Sequence, residues 1–154
     1  MDAVTADAIS DKADALNFFN AVALFREVPQ AELAPILPMV RVQRFGAGDI
    51  ILREGDATND LLIVRDGFVE VYVNKGDKKI HITLLGPTSY FGEMSVFDDY
   101  PRSANVEATT DVVACRIDRE PFRAFIRSHS AALFQMCTVF SHRLRNTNSA
   151  LTKR

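Results

Sequence analysis

The chain has 154 residues, 47% hydrophobic and 25% charged, with a formal net charge of −2, which is ample for one domain with an ordinary core. The lack of a basic excess argues against a protein whose main task is gripping nucleic acid. No apolar run approaches the roughly eighteen residues of a membrane span, and no charged n-region precedes an apolar stretch, so neither a membrane nor an export role is expected.

The first sixteen residues hold Asp2, Asp7, Asp11 and Asp14 against Lys12 alone. Residues 1–10 carry no firm hydrophobic period and are expected to fray or to form a loose helix. Residues 11–154 are read as a single domain: helical over 11–39, a barrel over 40–117, helical again over 118–154. From about Asp11, the spacing of Leu16, Phe19, Val22, Ala23 and Phe25 predicts an amphipathic helix. Pro29 suits the first turn of a short second helix carrying Leu33, Ile36 and Leu37, with Pro38 as its stop.

Between Val40 and Ile117 the pattern changes to short alternating runs divided by turn residues. Val40/Val42 precede Gly46-Ala47-Gly48-Asp49, and Ile50 to Leu52 precede Glu54-Gly55-Asp56. Leu61 to Val64 end at Asp66-Gly67, a hairpin signal before Phe68, Val69, Val71 and Val73; Asn74-Lys75-Gly76-Asp77 is a second. Ile80, Ile82, Leu84 and Leu85 form the next run, then Ala104 to Ala108 and Val112 to Ile117. Seven or eight strands at this spacing predict a mainly β protein with flanking helices, built on a sandwich or jelly-roll barrel.

Inside this region lies Phe91-Gly92-Glu93-Met94-Ser95-Val96-Phe97, followed by Pro101-Arg102-Ser103-Ala104. Gly92 lets the backbone approach a ligand, and the N–H groups of Met94 and Ser95 open a short helical turn that attracts an anion. Arg102 supplies a planar, permanently charged fork for phosphate oxygens, and Glu93 an acceptor for sugar hydroxyls. Met94, Val96 and Phe97 are expected to pack in the core. One arginine with no Walker lysine suits a singly charged phosphodiester better than a triphosphate.

These two segments closely resemble the phosphate-binding cassette of cyclic-nucleotide-binding domains, the family of the catabolite activator protein and the protein kinase A regulatory subunit. The resemblance runs from about Leu24 to Leu151. It implies a double-stranded β-helix (jelly-roll) with N-terminal helices and two C-terminal helices, phosphate contacts from Gly92, Met94, Ser95, Arg102, Ser103 and Ala104, and ribose contact from Glu93. The ligand it implies is cyclic AMP or cyclic GMP, with no other cofactor. A threonine at position 103 serves guanine in cyclic-GMP-selective relatives; Ser103 permits either base. The chain departs from the family's usual Gly-Asp before the cassette, carrying Gly86-Pro87-Thr88-Ser89-Tyr90 instead.

Asp118 can cap a helix starting near Arg119, with Pro121 in its first turn and Phe122, Phe125 and Ile126 on one face. After a break at Ser128-His129-Ser130, the residues Leu133, Cys137, Phe140, Leu144, Thr147 and Leu151 recur at spacings of 4, 3, 4, 3 and 4. This is the period of a coiled-coil seam, read either as packing onto the barrel or, as the resemblance implies, as a two-fold dimer seam. Aligned without gaps from Arg102, the residues Arg143, Thr147 and Asn148 fall where the family presents base-contacting groups. With Val71, Ile82 and Leu84 on the barrel side they make the expected base pocket, cyclic AMP being favoured over cyclic GMP. Arg143, Arg145, Lys153 and Arg154 face no acid after Glu120, giving either a solvated basic helix end or a docking surface for an acidic partner.

The resemblance implies a regulatory binding switch, not an enzyme: ligand shifts the C-terminal helix, and a protein effector reads the shift. The chain leaves no room for a DNA-reading module, so it is expected to be a stand-alone regulator or an excised piece of a larger one. Two alternatives are a ligand-free interaction domain on the same fold and a metal-dependent jelly-roll enzyme. Metal sites of that kind need clustered imidazoles, and of His81, His129 and His142 only His81 falls in the predicted barrel. Cys115 and Cys137, without Cys-x-x-Cys spacing, are expected as buried free thiols in a reducing, cytoplasmic compartment.

Overall fold

The computed structural model describes residues 3–5 and 12–152. Two antiparallel sheets form the body. One has the strand order β1-β2-β9-β4-β7 and the other β3-β8-β5-β6, with β1 Ala3–Thr5, β2 Val40–Phe45, β3 Ile50–Leu52, β4 Leu61–Asp66, β5 Val69–Lys75, β6 Lys78–Leu85, β7 Tyr90–Phe91, β8 Asn105–Ala108 and β9 Val112–Ile117. The helices are α1 Lys12–Ala21, α2 Gln30–Leu33, α3 Met94–Phe97, α4 Arg119–Ser128 and α5 Ser130–Thr152, with tighter turns over Ala23–Phe25 and Ala34–Met39. The jelly-roll with helices before and after it is the predicted architecture.

The core has two parts. Phe45, Leu62, Val64, Val69, Phe91, Val106 and Ala114 fill the barrel between the sheets. Phe19, Phe25, Leu33, Ile63, Tyr90, Phe122 and Met136 fill the space between the first sheet and the helices. β4 shows why its run is apolar throughout: Leu61 to Val64 are all buried because the sheet is covered on both faces. Asp118 precedes α4 without a side-chain cap bond, since its carboxylate is taken by Arg41.

Several local expectations are corrected. Asp66-Gly67 is not a hairpin: β4 pairs with β7 and β9, β5 with β6 and β8, so the chain crosses there from one sheet to the other. Gly67 stands at φ +90°, and a Cβ on it would lie 2.1 Å from the Asp111 carbonyl oxygen, so the crossing needs glycine. The second hairpin forms as predicted, with Lys75 facing Lys78. Ala3–Thr5 adds a strand to β2 where fraying or a loose helix was expected, and the remainder of that segment lies outside the described residues. The first helix ends at Ala21, short of Val22 to Phe25, and the helical turn after α2 runs through Pro38 to Met39. Cys115 is buried but Cys137 is exposed, and both are free thiols.

Candidate functional site

β7 positions the site by its alternation. Tyr90 and Phe91 point to opposite faces, Tyr90 into the helix-side core and Phe91 into the barrel. Gly92 then turns the chain at φ +81°, where a Cβ would sit 2.7 Å from Arg102 Nη1 and 3.0 Å from the Asp60 carbonyl oxygen. The glycine therefore gives the arginine its place. Glu93 precedes α3; Arg123 Nε holds α3 against α4 by donating to the Val96 carbonyl at 2.6 Å.

Arg102 is 3% exposed. Its Nε donates to Thr58 Oγ1 at 3.0 Å, Nη1 to the Gly92 carbonyl at 3.0 Å, and Nη2 to the Asp60 carbonyl and Oδ1 at 2.9 and 2.8 Å. Of the five guanidinium hydrogens these bonds leave the second on Nη1 open. Burial pulls the guanidinium's pKa down, and the Asp60 charge opposes it. Asp60 also pairs with Arg116 Nε at 2.6 Å, so one carboxylate fastens two arginines. Backbone bonds from Arg102 N to the Asp56 carbonyl and from Gly55 N to the Arg102 carbonyl anchor the segment.

Glu93, 4% exposed, is paired with Arg143 of α5, whose guanidinium also lies 5.6 Å from the centre of the Tyr90 ring. A helix residue far from the cassette in sequence is thus brought directly onto it. Ser95 is buried, Ala104 half-buried and Ser103 exposed, the Ser103 hydroxyl resting 3.9 Å from the Met94 sulfur. Of the predicted core trio only Val96 is buried. Met94 and Phe97 are exposed, because α3 is too short to turn all three inward, and Phe97 meets Phe140 of α5 edge-on at 6.2 Å.

The base-side residues separate. Val71 is half-buried against the barrel core and faces Thr83 and Val106. Leu84 is exposed and faces Glu70, on the other side of the sheet from Val71. The register shifts between the Val71 and Tyr72 pairings, leaving Ile82 as the extra, exposed residue of a bulge. Thr147 and Asn148 are exposed on α5, with the Thr147 hydroxyl bonded to its own helix at the Arg143 carbonyl. His81 is bonded to Glu70 at 2.8 Å and His129 stacks on Phe125 at 4.1 Å. Among the described residues no group of three or more His, Cys, Asp or Glu is arranged to hold a metal ion, and no helix is long and apolar enough to cross a membrane.

The family model of the cyclic nucleotide-binding domain matches residues 42–129. The chain belongs to this family. It is 30% identical over 129 residues to a CRP-like cAMP-activated global transcriptional regulator of Mycobacterium tuberculosis, covering 83% of this chain and 58% of the relative. It is 36% identical over 109 residues to cGMP-dependent protein kinase 2 of Homo sapiens, covering 69% and 14%. The solved catabolite activator protein of Thermus thermophilus superposes with a TM-score of 0.77 at 28% identity, covering 84% of this chain and 61% of that one. The chain therefore spans only part of each of these family members.

Sequence reasoning missed the residues that hold Arg102. Asp60 and Thr58 sit in Asp56-Ala57-Thr58-Asn59-Asp60, a stretch without hydrophobic period, and lie 42 and 44 residues from the arginine they bind. An acid immediately ahead of the buried run Leu61 to Val64 was the one available signal.

Proposed function

We propose that residues 11–154 act as one unit that binds a cyclic nucleotide, cyclic AMP in preference to cyclic GMP, and reports occupancy through α5. The observation that carries this reading is the buried Arg102 guanidinium set against the Gly92 carbonyl, beside the Glu93 carboxylate. Phosphate would take the open Nη1 hydrogen of Arg102, together with backbone N–H groups of Gly92 to Ser95 and the Ser103 hydroxyl; Ala104 closes the cassette. Ribose hydroxyls would bond Glu93. Val71 and Ile82 would flank the base from the barrel, and Arg143, Thr147 and Asn148 from α5.

Arg143 gives the switch its physical link, because a ribose on Glu93 changes the acceptor that Arg143 shares, and α5 moves with Arg143. The exposed Leu133, Cys137 and Leu144 along α5 support a homodimer through this helix, a protein effector being the other occupant of that face. The free thiols fit a reducing, cytoplasmic setting, and no catalytic role is assigned to the chain.

A second reading has its own observation. Arg102 and Glu93 already have protein partners, as a ligand-free interaction domain would arrange them. Isothermal titration with cyclic AMP and cyclic GMP separates the two readings. Micromolar or tighter binding of cyclic AMP, weaker binding of cyclic GMP, and loss of binding in both Arg102→Ala and Glu93→Gln support the ligand switch. No heat with either nucleotide supports the interaction domain.

A further inference from the structure

The far side of β7 holds a separate cavity of about 230 Å³, lined by Ala23, Arg26, Leu85, Thr88, Ser89, Tyr90, Val139 and Arg143. It lies on the Tyr90 side of the strand, toward the helices and opposite Phe91, and shares Arg143 with the cassette through Glu93. Its wall carries several hydrogen-bond donors, one of them buried and unsatisfied. Tyr90 is 3% exposed and its hydroxyl has no hydrogen-bond partner, a costly state for a buried polar group. The Thr88 and Ser89 side chains make no hydrogen bond among the described residues, and the Arg26 guanidinium no ion pair there. Thr88 is also held at φ 72°, a left-handed backbone that a β-branched residue adopts only under constraint, as happens at ligand-binding loops.

We propose that this cavity is a second ligand site, taking a small phosphate monoester, and that its occupant competes with Glu93 for Arg143. Donors approach from distinct elements: two hydroxyls from the turn before β7, a phenol from β7, one guanidinium from the turn after α1 and one from α5. Such a spread suits a tetrahedral oxyanion better than a planar carboxylate. The remaining wall, Ala23, Leu85 and Val139, is apolar and accepts a short organic stub. The volume falls below the roughly 300–1,000 Å³ of pockets for drug-sized ligands, so the ligand is smaller than a nucleotide. Arg143 stands between the two sites, and its Nη1 is on Glu93. An anion that draws it away loosens α5 from the cassette; this coupling, unlike the site itself, rests on the proposed cyclic nucleotide reading.

An amide NMR titration of the full chain with methyl phosphate, inorganic phosphate and acetate, at ionic strength matched with chloride, tests the site. Methyl phosphate should give saturable shifts at Thr88, Ser89 and Tyr90, tighter than inorganic phosphate and much tighter than acetate. Arg26→Gln should weaken that binding about tenfold, and Tyr90→Phe should weaken it less. Shifts centred on Gly92 to Ser95, no saturation, tighter binding of acetate, or indifference to Arg26→Gln would overturn the site. Saturating methyl phosphate should also lower cyclic AMP affinity about fivefold in the unaltered protein and not in Arg26→Gln. An unchanged affinity overturns the competition. Failure of cyclic AMP to bind at all overturns the proposed function and, with it, the coupling, while the NMR titration still decides whether the site exists.

Discussion

The two halves of α5 are one continuous helix in two environments. Ala132 and Met136 in the first half are fully buried, and Val139 and Phe140 pack on the helix-side core. Residues 141–149 are all exposed, and Arg143 ties them to the barrel by its pair with Glu93. Helices draw most of their stability from packing, so the first half is a fixed mount and the second a lever held by a polar latch. Such weakly packed segments come from the low-stability end of a fold. A ligand at the latch can move this half without disturbing the core.

The largest effect should come from breaking the mount of the cassette. Arg102→Ala leaves Asp60 with Arg116 alone and takes the arginine donors from the half-buried Gly92 and Asp60 carbonyls, and should cost about 3 kcal/mol in a denaturant titration as well as cyclic nucleotide binding. Gly92→Ala comes next. A methyl group would meet Arg102 at 2.7 Å from a backbone at φ +81°, for about 2 kcal/mol of destabilisation and a displaced guanidinium, visible as lost affinity in a calorimetric titration.

Arg143→Ala acts on the latch alone. Because the Arg143 side chain is 45% exposed, solvent screening limits the stability loss to about 1 kcal/mol by thermal melting. Hydrogen exchange over residues 141–149 should rise to the free-helix rate while residues 132–140 keep their protection. Equal loosening of both halves would break the distinction between mount and lever.

The smallest effect concerns the loop between α3 and Arg102. The Asp99 carboxyl is held below its ordinary value of 3.8, first by the hydrogen bond from Arg119 and then by that residue's charge. A carboxyl depressed in the folded state adds stability that is present above its unfolded value and is lost as pH falls through the folded one. Acid titration of the melting temperature should show this small contribution disappearing below about pH 4, and Asp99→Asn should remove that part of the slope.

The barrel and the cassette were legible because they are written locally. Alternation marks the strands, and Gly92, Glu93 and Arg102 lie within a dozen residues of one another. What was lost depends on distant pairing. Asp66-Gly67 has the chemistry of a hairpin turn whether its strands pair or part, and only β9, some fifty residues on, draws β4 into the other sheet. One bulge at Ile82 decides which of Thr83 and Leu84 faces inward, and alternation carries no mark of it. The heptad-spaced stripe of α5 was visible, but Leu133 and Leu144 left exposed and Met136 buried show that the face packed on the barrel is a neighbouring one.

Hydrogen exchange of residues 141–149 with and without saturating cyclic AMP reads the lever itself. Exchange there should slow on binding, with residues 132–140 unchanged, as the latch re-forms around the ligand. Unchanged exchange in 141–149 at a cyclic AMP concentration shown by calorimetry to saturate the cassette would contradict it.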